Sequence, residues 1–371
     1  LEKIKQNVGD LKEIASKGAL VFDIDGTLLY KEKDIKDGRV PPGITEDSQI
    51  NKVVELFAGL LGKNQRLAII SGHDVDVQEK RLINPLKDYL SKNGKLNLIQ
   101  NFTLFANAGA TKVTYDAQGN RQVDQVYAQQ FQFTQGEINT IKNKFENIVK
   151  NGQLLNWYKE EIEKAAGRKF SDDEIKNILR QAYQKDAQNR RVTWDQNNGN
   201  WIDNSANFQI QVREPPKEGE TVTMPWIEIR RADKTNPNSP IVQVTIKPLP
   251  SAKGELGYEI GRSLRNRIID ELSPHLPTRT MLSGGTGSID TGTNKKVALE
   301  EYMRNLALQN QYILYFGDEF TQRGGDFPIT QIPGLNIFSA SPSADEPKNV
   351  IPAGIGPISI WRLLEELLKI I

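Results

Sequence analysis

Two aspartates one residue apart close an apolar run in the segment Val21-Phe22-Asp23-Ile24-Asp25-Gly26-Thr27-Leu28. An ionised carboxylate held at a strand end can attack phosphorus and form an aspartyl phosphate. Asp25 lies past the strand, where it can protonate a leaving oxygen and later take a proton from water. Gly26 permits a tight turn and lets backbone N–H groups approach phosphate oxygens, and Thr27 can lock that turn by hydrogen bonding. A dianionic phosphate beside two aspartates is repelled unless a cation intervenes. Magnesium takes a few carboxylates together with phosphate oxygens and water. Asp23 and Asp318, with a main-chain carbonyl near Asp25, can supply the protein ligands. Ser71 and a lysine can hold the other phosphate oxygens.

These groups need a scaffold that brings distant segments to one edge. Apolar runs at Ala19–Phe22, Leu67–Ile70, Phe102–Ala106, Tyr312–Phe316 and Leu335–Phe338 read as buried strands. Helical stretches at Ile50–Leu61, Val77–Leu90, Lys295–Leu308 and Ile358–Ile371 lie between or after them, and Leu1–Lys17 precedes them. Strand alternating with helix predicts a parallel sheet with helices on its faces, and sites in such sheets lie beyond the strands' carboxyl ends.

The pattern changes after about Thr111. Segments near Gln122–Phe131, Arg191–Asp195, Asn207–Arg213, Val222–Arg230 and Ile241–Ile246 read as strands, several alternating in polarity. Helical stretches fall at Gly136–Lys150, Asn156–Ala166, Asp172–Lys185 and Tyr258–Leu272. The expected organisation is a discontinuous α/β core, 1–112 and 286–371, with an α+β insertion at 113–285. The glycine-rich Ser283–Ser288 lacks the Lys-Ser/Thr of a nucleotide P-loop and reads as the return hinge.

Composition bounds the function. The chain has 371 residues, 48 Lys+Arg against 47 Asp+Glu, so no excess positive charge is present for a nucleic-acid backbone or an anionic membrane. Cysteine is absent, which excludes thiolate chemistry, and only His73 and His275 are available, which disfavours a multi-histidine metal centre. No apolar run is long enough to span a bilayer. The expected location is cytoplasmic.

Asp-x-Asp-Gly-Thr after an apolar strand resembles the first motif of the haloacid dehalogenase superfamily. Ile70-Ser71-Gly72 looks like its second motif, Asn294-Lys295-Lys296-Val297-Ala298-Leu299 its third, and Phe316-Gly317-Asp318-Glu319 with Gly324-Gly325-Asp326 its fourth. The resemblance implies a Rossmann-like core with an α/β cap, of the branch that includes trehalose-phosphate phosphatases, Cof-type sugar phosphatases and phosphomannomutase. It implies Asp23 as nucleophile and Asp25 as acid and base, with phosphate bound by Thr27, Ser71, Gly72 and Lys295. Mg2+ would be held by Asp23, Asp25 and Asp318, and either Glu319 or Asp326 would support it.

Two departures stand out: Lys296 replaces the usual glycine after the motif lysine, and Gly325 stands where phosphomannomutases carry asparagine. The activity implied is magnesium-dependent hydrolysis of a phosphate monoester of a sugar or similar small metabolite. The alternatives are a phosphosugar mutase and a non-catalytic sugar-phosphate-binding protein. Ser71 also suits a helix N-cap, and His73 reads as orienting the loop or touching substrate. In the insertion, Trp194, Asp195, Asn197, Asn198, Trp201 and Asp203 suit either a sugar or an exposed hairpin tip. Arg230, Arg231 and Lys247 suit either a second anionic group or plain surface charge.

Overall fold

Strands buried on both faces must be apolar throughout, so the runs read from the sequence become the inner strands of a sheet. The computed structural model describes residues 11–31, 34–35, 38–150, 153–171, 173–175, 177, 210–215, 226–248, 257–283, 288–322 and 324–371. Two compact units result: Leu1–Gln130, Ala232–Pro240 and Thr293–Ile371 form the first, Phe131–Arg231 and Ile241–Gly292 the second.

The first unit opens with α1 (Leu11–Lys17), β1 (Ala19–Phe22), α2 (Glu46–Gly62) and β2 (Arg66–Ile70). Next come α3 (Val75–Gln78), α4 (Asn84–Lys92), β3 (Phe102–Ala106), β4 (Thr111–Tyr115), β5 (Arg121–Val123) and α5 (Gln125–Gln129). In the second unit lie α6 (Gln135–Lys150), α7 (Gln153–Ala166), β6 (Gln211–Arg213), β7 (Trp226–Arg231), β8 (Ile241–Lys247), α8 (Gly257–Leu272), β9 (Thr280–Ser283) and β10 (Ile289–Gly292). The chain then returns to the first unit with α9 (Lys295–Asn305), β11 (Ile313–Gly317), β12 (Asn336–Ser339), β13 (Val350–Pro352) and α10 (Pro357–Ile370).

The first sheet runs β13-β12-β11-β1-β2-β3-β4-β5. Strands from β13 to β3 are parallel, and β4 and β5 add antiparallel. Register sets Phe22 beside Phe316 and Phe316 beside Phe338. Their rings stack at 4.9 Å and 5.2 Å between centroids, a ladder of aromatic burial through the middle of the sheet. Trp361 of α10 is buried and donates from Nε1 to the Leu28 carbonyl at 2.9 Å, tying the last helix to the turn after β1. Because β1, β2, β3 and β11 are parallel and in register, the residues that follow them leave the sheet at the same edge.

The second unit has a sheet in the order β6-β7-β8-β10-β9, with β6 and β7 parallel and the other pairs antiparallel. Its apolar core joins Val244, Ile246, Ile227 and Ile289 to Ile141, Phe145, Ile162 and Ile268 of the helices. Among the described residues no helix is long and apolar enough to cross a membrane.

Several elements differ from expectation. The segment Gln122–Phe131 is strand only at its start; Asp124 then caps α5 by accepting from the Tyr127 N–H at 2.9 Å, and Tyr127 and Ala128 turn inward. A buried pair on one side with Val126 exposed is a helical pattern too short to read against β-branched neighbours. The chain first crosses between units at 130/131, not 112/113, since β4 and β5 complete the first sheet. It returns briefly for Ala232–Pro240 and finally at 292/293, and β10, expected with the core, pairs with β8 and β9. The short strands β9 and β13 carry too few residues to show a period. The tryptophan- and asparagine-rich cluster Trp194–Asp203 lies outside the described residues, as do 284–287 of the glycine-rich hinge.

Candidate active site

The turn after β1 is closed by its own backbone. Gly26 N–H donates to the Leu29 carbonyl at 2.7 Å, and Leu28 and Leu29 donate to the Ile24 carbonyl at 2.8 and 3.0 Å. Gly26 has φ +87°, and a Cβ there would collide with the Asp318 carboxylate, so both conformation and space demand glycine. Thr27 helps lock this turn through its backbone N–H, which donates to the Ile24 carbonyl at 3.2 Å, while its buried hydroxyl has no hydrogen-bond partner among the described residues. An unsatisfied buried hydroxyl is costly.

Asp23 Oδ1 lies 2.8 Å from the Lys295 ammonium, which also pairs with Asp326 Oδ1 at 2.7 Å. Lys295 opens α9 directly after its cap, Asn294, whose side chain accepts from Lys296 and Val297. That placement buries Lys295 and leaves Lys296 to pair with Glu300 one turn along the helix. Asp23, Asp318 and Asp326 each present an oxygen within 4.8 Å of the others, a set that could hold a metal ion.

The two candidates for a supporting carboxylate have different surroundings. Asp326 is fully buried and both its oxygens are engaged: Oδ1 accepts from Lys295 and from Tyr315 Oη (2.6 Å), Oδ2 from the Asp318 and Glu319 N–H groups (3.0 and 3.1 Å). It therefore braces the loop and the lysine. Glu319 is more open and pairs with Lys31 at 3.3 Å.

Asp25 faces a different pair of cations. Arg81 Nη1 lies 2.5 Å from Oδ1, and His73 Nε2 lies 3.3 Å from Oδ2. Arg81 sits on the π-helical turn Glu79–Ile83 between α3 and α4, an insertion of the kind that re-aims side chains at functional sites. Ser71 is buried; its Oγ accepts from Gln78 Nε2 (2.8 Å) and from the His73 N–H (3.2 Å), leaving its own proton to donate. The helix cap expected of Ser71 belongs to Asp74, which accepts from the Val77 N–H at 3.0 Å. A Cβ at Gly72 would meet open space. The left-handed Asn107-Ala108-Gly109 turn fastens this loop, donating from Asn107 to the His73 carbonyl at 2.8 Å and from Ala108 to the Ser71 carbonyl at 2.9 Å.

Charge is unevenly compensated. Burial pushes the Asp23 carboxyl up to about 6, with Lys295 offsetting part of the effect. Burial also lifts Asp318 well above the carboxylate range; Lys31 opposes this, and the charges of Glu319, Asp23 and Asp326 add to it. Burial acts upward on Asp25 too, but the His73 hydrogen bond and the Arg81 charge outweigh it and hold the carboxyl low. Asp23 and Asp318 are thus short of positive charge, a deficit that a divalent cation with oxygen ligands fits. Sequence reasoning missed Lys31, Arg81 and Tyr315. Arg81 lies among helix residues with no local mark of function, and Tyr315 reads as one more apolar strand residue.

A parallel sheet with acidic loops beyond β1 and β11, a lysine opening the helix before β11 and an α+β unit inserted in the sequence between them is a Rossmann-like α/β core with an insertion, the fold class expected from the sequence. Neither protein-family models nor curated proteins give a match to the sequence. Among solved structures, the N-terminally truncated, IMP-bound IMP-nucleotidase of Plasmodium falciparum is similar over 99% of this chain and 72% of its own, with 14% identity and a TM-score of 0.52. The N-terminally truncated form of the same nucleotidase is similar over 97% and 73%, with 15% identity and a TM-score of 0.50. The likeness at such identities is one of fold.

Proposed function

We propose that this chain is a magnesium-dependent phosphatase that hydrolyses a phosphate monoester of a sugar or similar small metabolite through an aspartyl phosphate on Asp23. The observation that carries this reading is the meeting of Asp23, Lys295 and Asp318 at one sheet edge, with Asp25 in the adjoining turn. Asp23 and Asp318, with the main chain near Asp25, would hold the cation, which when bound neutralises phosphate charge and screens the nucleophile from it.

The Asp23 carboxylate attacks phosphorus as the ester oxygen leaves. Lys295 Nζ, the Ser71 hydroxyl and the unpartnered Thr27 hydroxyl donate to the phosphate oxygens as charge moves onto them. The leaving oxygen needs a proton from Asp25, which Arg81 and His73 keep ionised in the free protein. An arriving phosphate dianion favours the neutral carboxyl, so substrate itself raises the Asp25 pKa toward the value an acid needs. Once the alcohol has left, Asp25 is again a carboxylate and takes a proton from water. The resulting hydroxide attacks the phosphoryl group, the acyl phosphate bond breaks, inorganic phosphate forms and the Asp23 carboxylate is regenerated.

A panel of sugar phosphates and nucleoside monophosphates, assayed with Mg2+, tests the proposal. IMP belongs in the panel because a nucleotidase of similar fold was solved with it, and a nucleotide is itself a phosphorylated sugar. The expected result is release of inorganic phosphate that stops in Asp23→Asn. No release from any ester, aryl phosphates included, sinks the hydrolase reading, and isomerised sugar phosphate without released phosphate replaces it with a mutase.

A further inference from the structure

Lys31 follows the turn that carries Asp25, and its ammonium reaches the acidic cluster. Nζ lies 3.0 Å from Asp318 Oδ2 and 3.3 Å from Glu319 Oε1. Lys295 serves Asp23 and Asp326, so Lys31 is the cation that the described residues set on Asp318 and Glu319.

The two sides of this contact differ in freedom. Asp318 and Glu319 are anchored through their N–H groups to the buried Asp326, and Glu319 Oε2 also accepts from the Gly325 N–H at 3.4 Å. The backbone before Lys31 is anchored too, since the Tyr30 N–H donates to the buried Gln49 at 2.7 Å. The Lys31 side chain is 38% exposed and has four rotatable bonds with which to leave. Asp318 itself is only 7% exposed at its side chain.

Resting on the metal-site reading above, we infer that Lys31 is a built-in counter-cation at Asp318 and Glu319, which a divalent ion must displace in order to load. Four carboxylates, those of Asp23, Asp318, Glu319 and Asp326, meet two ammonium groups here. Without Lys31 the metal-free cluster would hold like charges at close range, and its loop would open. With it the metal-free protein is stable, at the expense of cation affinity.

The test is a calorimetric titration of Mg2+ into metal-stripped wild type, Lys31→Met, Lys31→Gln and Lys31→Arg, with thermal unfolding of each in chelator. Removing the competing charge should tighten Mg2+ binding about tenfold, the size of effect that one partly buried charge pair produces. Lys31→Met and Lys31→Gln should both show the gain and both melt earlier than wild type in chelator; Lys31→Arg should stay near wild type. Agreement of Met and Gln guards against a folding defect peculiar to one of them. Equal or weaker Mg2+ binding in both overturns the inference alone. No Mg2+ uptake by any of the proteins, wild type included, overturns the metal-site reading and takes the inference with it.

Discussion

Asp23 and Asp326 share one lysine yet play opposite energetic parts. A carboxyl whose folded pKa is raised binds protons more readily folded than unfolded, so its presence lowers stability as pH rises. For Asp23 the window runs from its ordinary 3.8 to about 6. In metal-free buffer, Asp23→Asn should therefore be more stable than wild type at pH 7 by about 2 kcal/mol, with the difference fading below about pH 4. Its turnover should drop by about a thousandfold or more. Asp326→Ala should do the reverse to stability, losing about 3 kcal/mol, because it takes one of two carboxylates from a buried ammonium and leaves a tyrosine hydroxyl and two N–H groups without this acceptor. Urea denaturation of both variants across this pH range checks the contrast. A destabilised Asn variant at pH 7 would mean that the Lys295 pairing outweighs burial at Asp23. The nucleophile was legible in the sequence because chemistry and strand end coincide in one short segment. The bracing role of Asp326 was not, since four hydrogen bonds, one from Lys295 and three from Tyr315, Asp318 and Glu319, define it.

Helix α6 shows how an element is held where its sequence alone would leave it loose. Thr134 and Glu137 form a capping box, Glu137 N–H donating to Thr134 Oγ1 at 3.2 Å and Thr134 N–H to Glu137 Oε2 at 2.8 Å. Arg279 then grips Glu137 through Nε and Nη2 at 2.7 and 2.9 Å and donates to the Phe131 and Gln132 carbonyls. The Arg279 hydrogen bond brings the Glu137 carboxyl down to about 2 from 4.5. A depressed carboxylate contributes stability that is complete above its unfolded pKa and is lost as pH falls through the folded one. Glu137→Gln should thus weaken the second unit by about 2 kcal/mol at pH 7, and the gap should close between about pH 4.5 and 2. Amide exchange across 135–150 would report it, and a gap unchanged at pH 2 would assign the effect to the cap and not to the charge. The capping residues are visible in the sequence; Arg279, 142 positions away, is not. The same holds for the sheets. Parallel inner strands announce themselves as unbroken apolar runs, whereas β9, β10 and α5 are short and acquire their conformation from partners distant in sequence.

At the scale of the whole molecule, two cores stand apart in composition, one built on the Phe22, Phe316 and Phe338 ladder and one on Phe145, Ile162 and Val244. Each candidate ligand for the cation lies in the first unit, although Asp23 and Asp318 are 295 residues apart in sequence and a whole unit intervenes. A ligand that binds only the native form stabilises what it binds, by about 2.7 kcal/mol at a hundred times its dissociation constant. That free energy must appear in the unit whose unfolding destroys the site. Hydrogen exchange with and without saturating Mg2+ should therefore show slowed amides around Asp23–Leu29 and Gly317–Asp326, spreading to β1 and β11. Amides of α6 and β8, whose opening leaves the carboxylates in place, should exchange at unchanged rates. Addition of chelator should return the first unit to its metal-free rates. Protection spread evenly over both cores would show instead that the two units unfold as one cooperative block, so that the insertion shares in the stability of the site it interrupts.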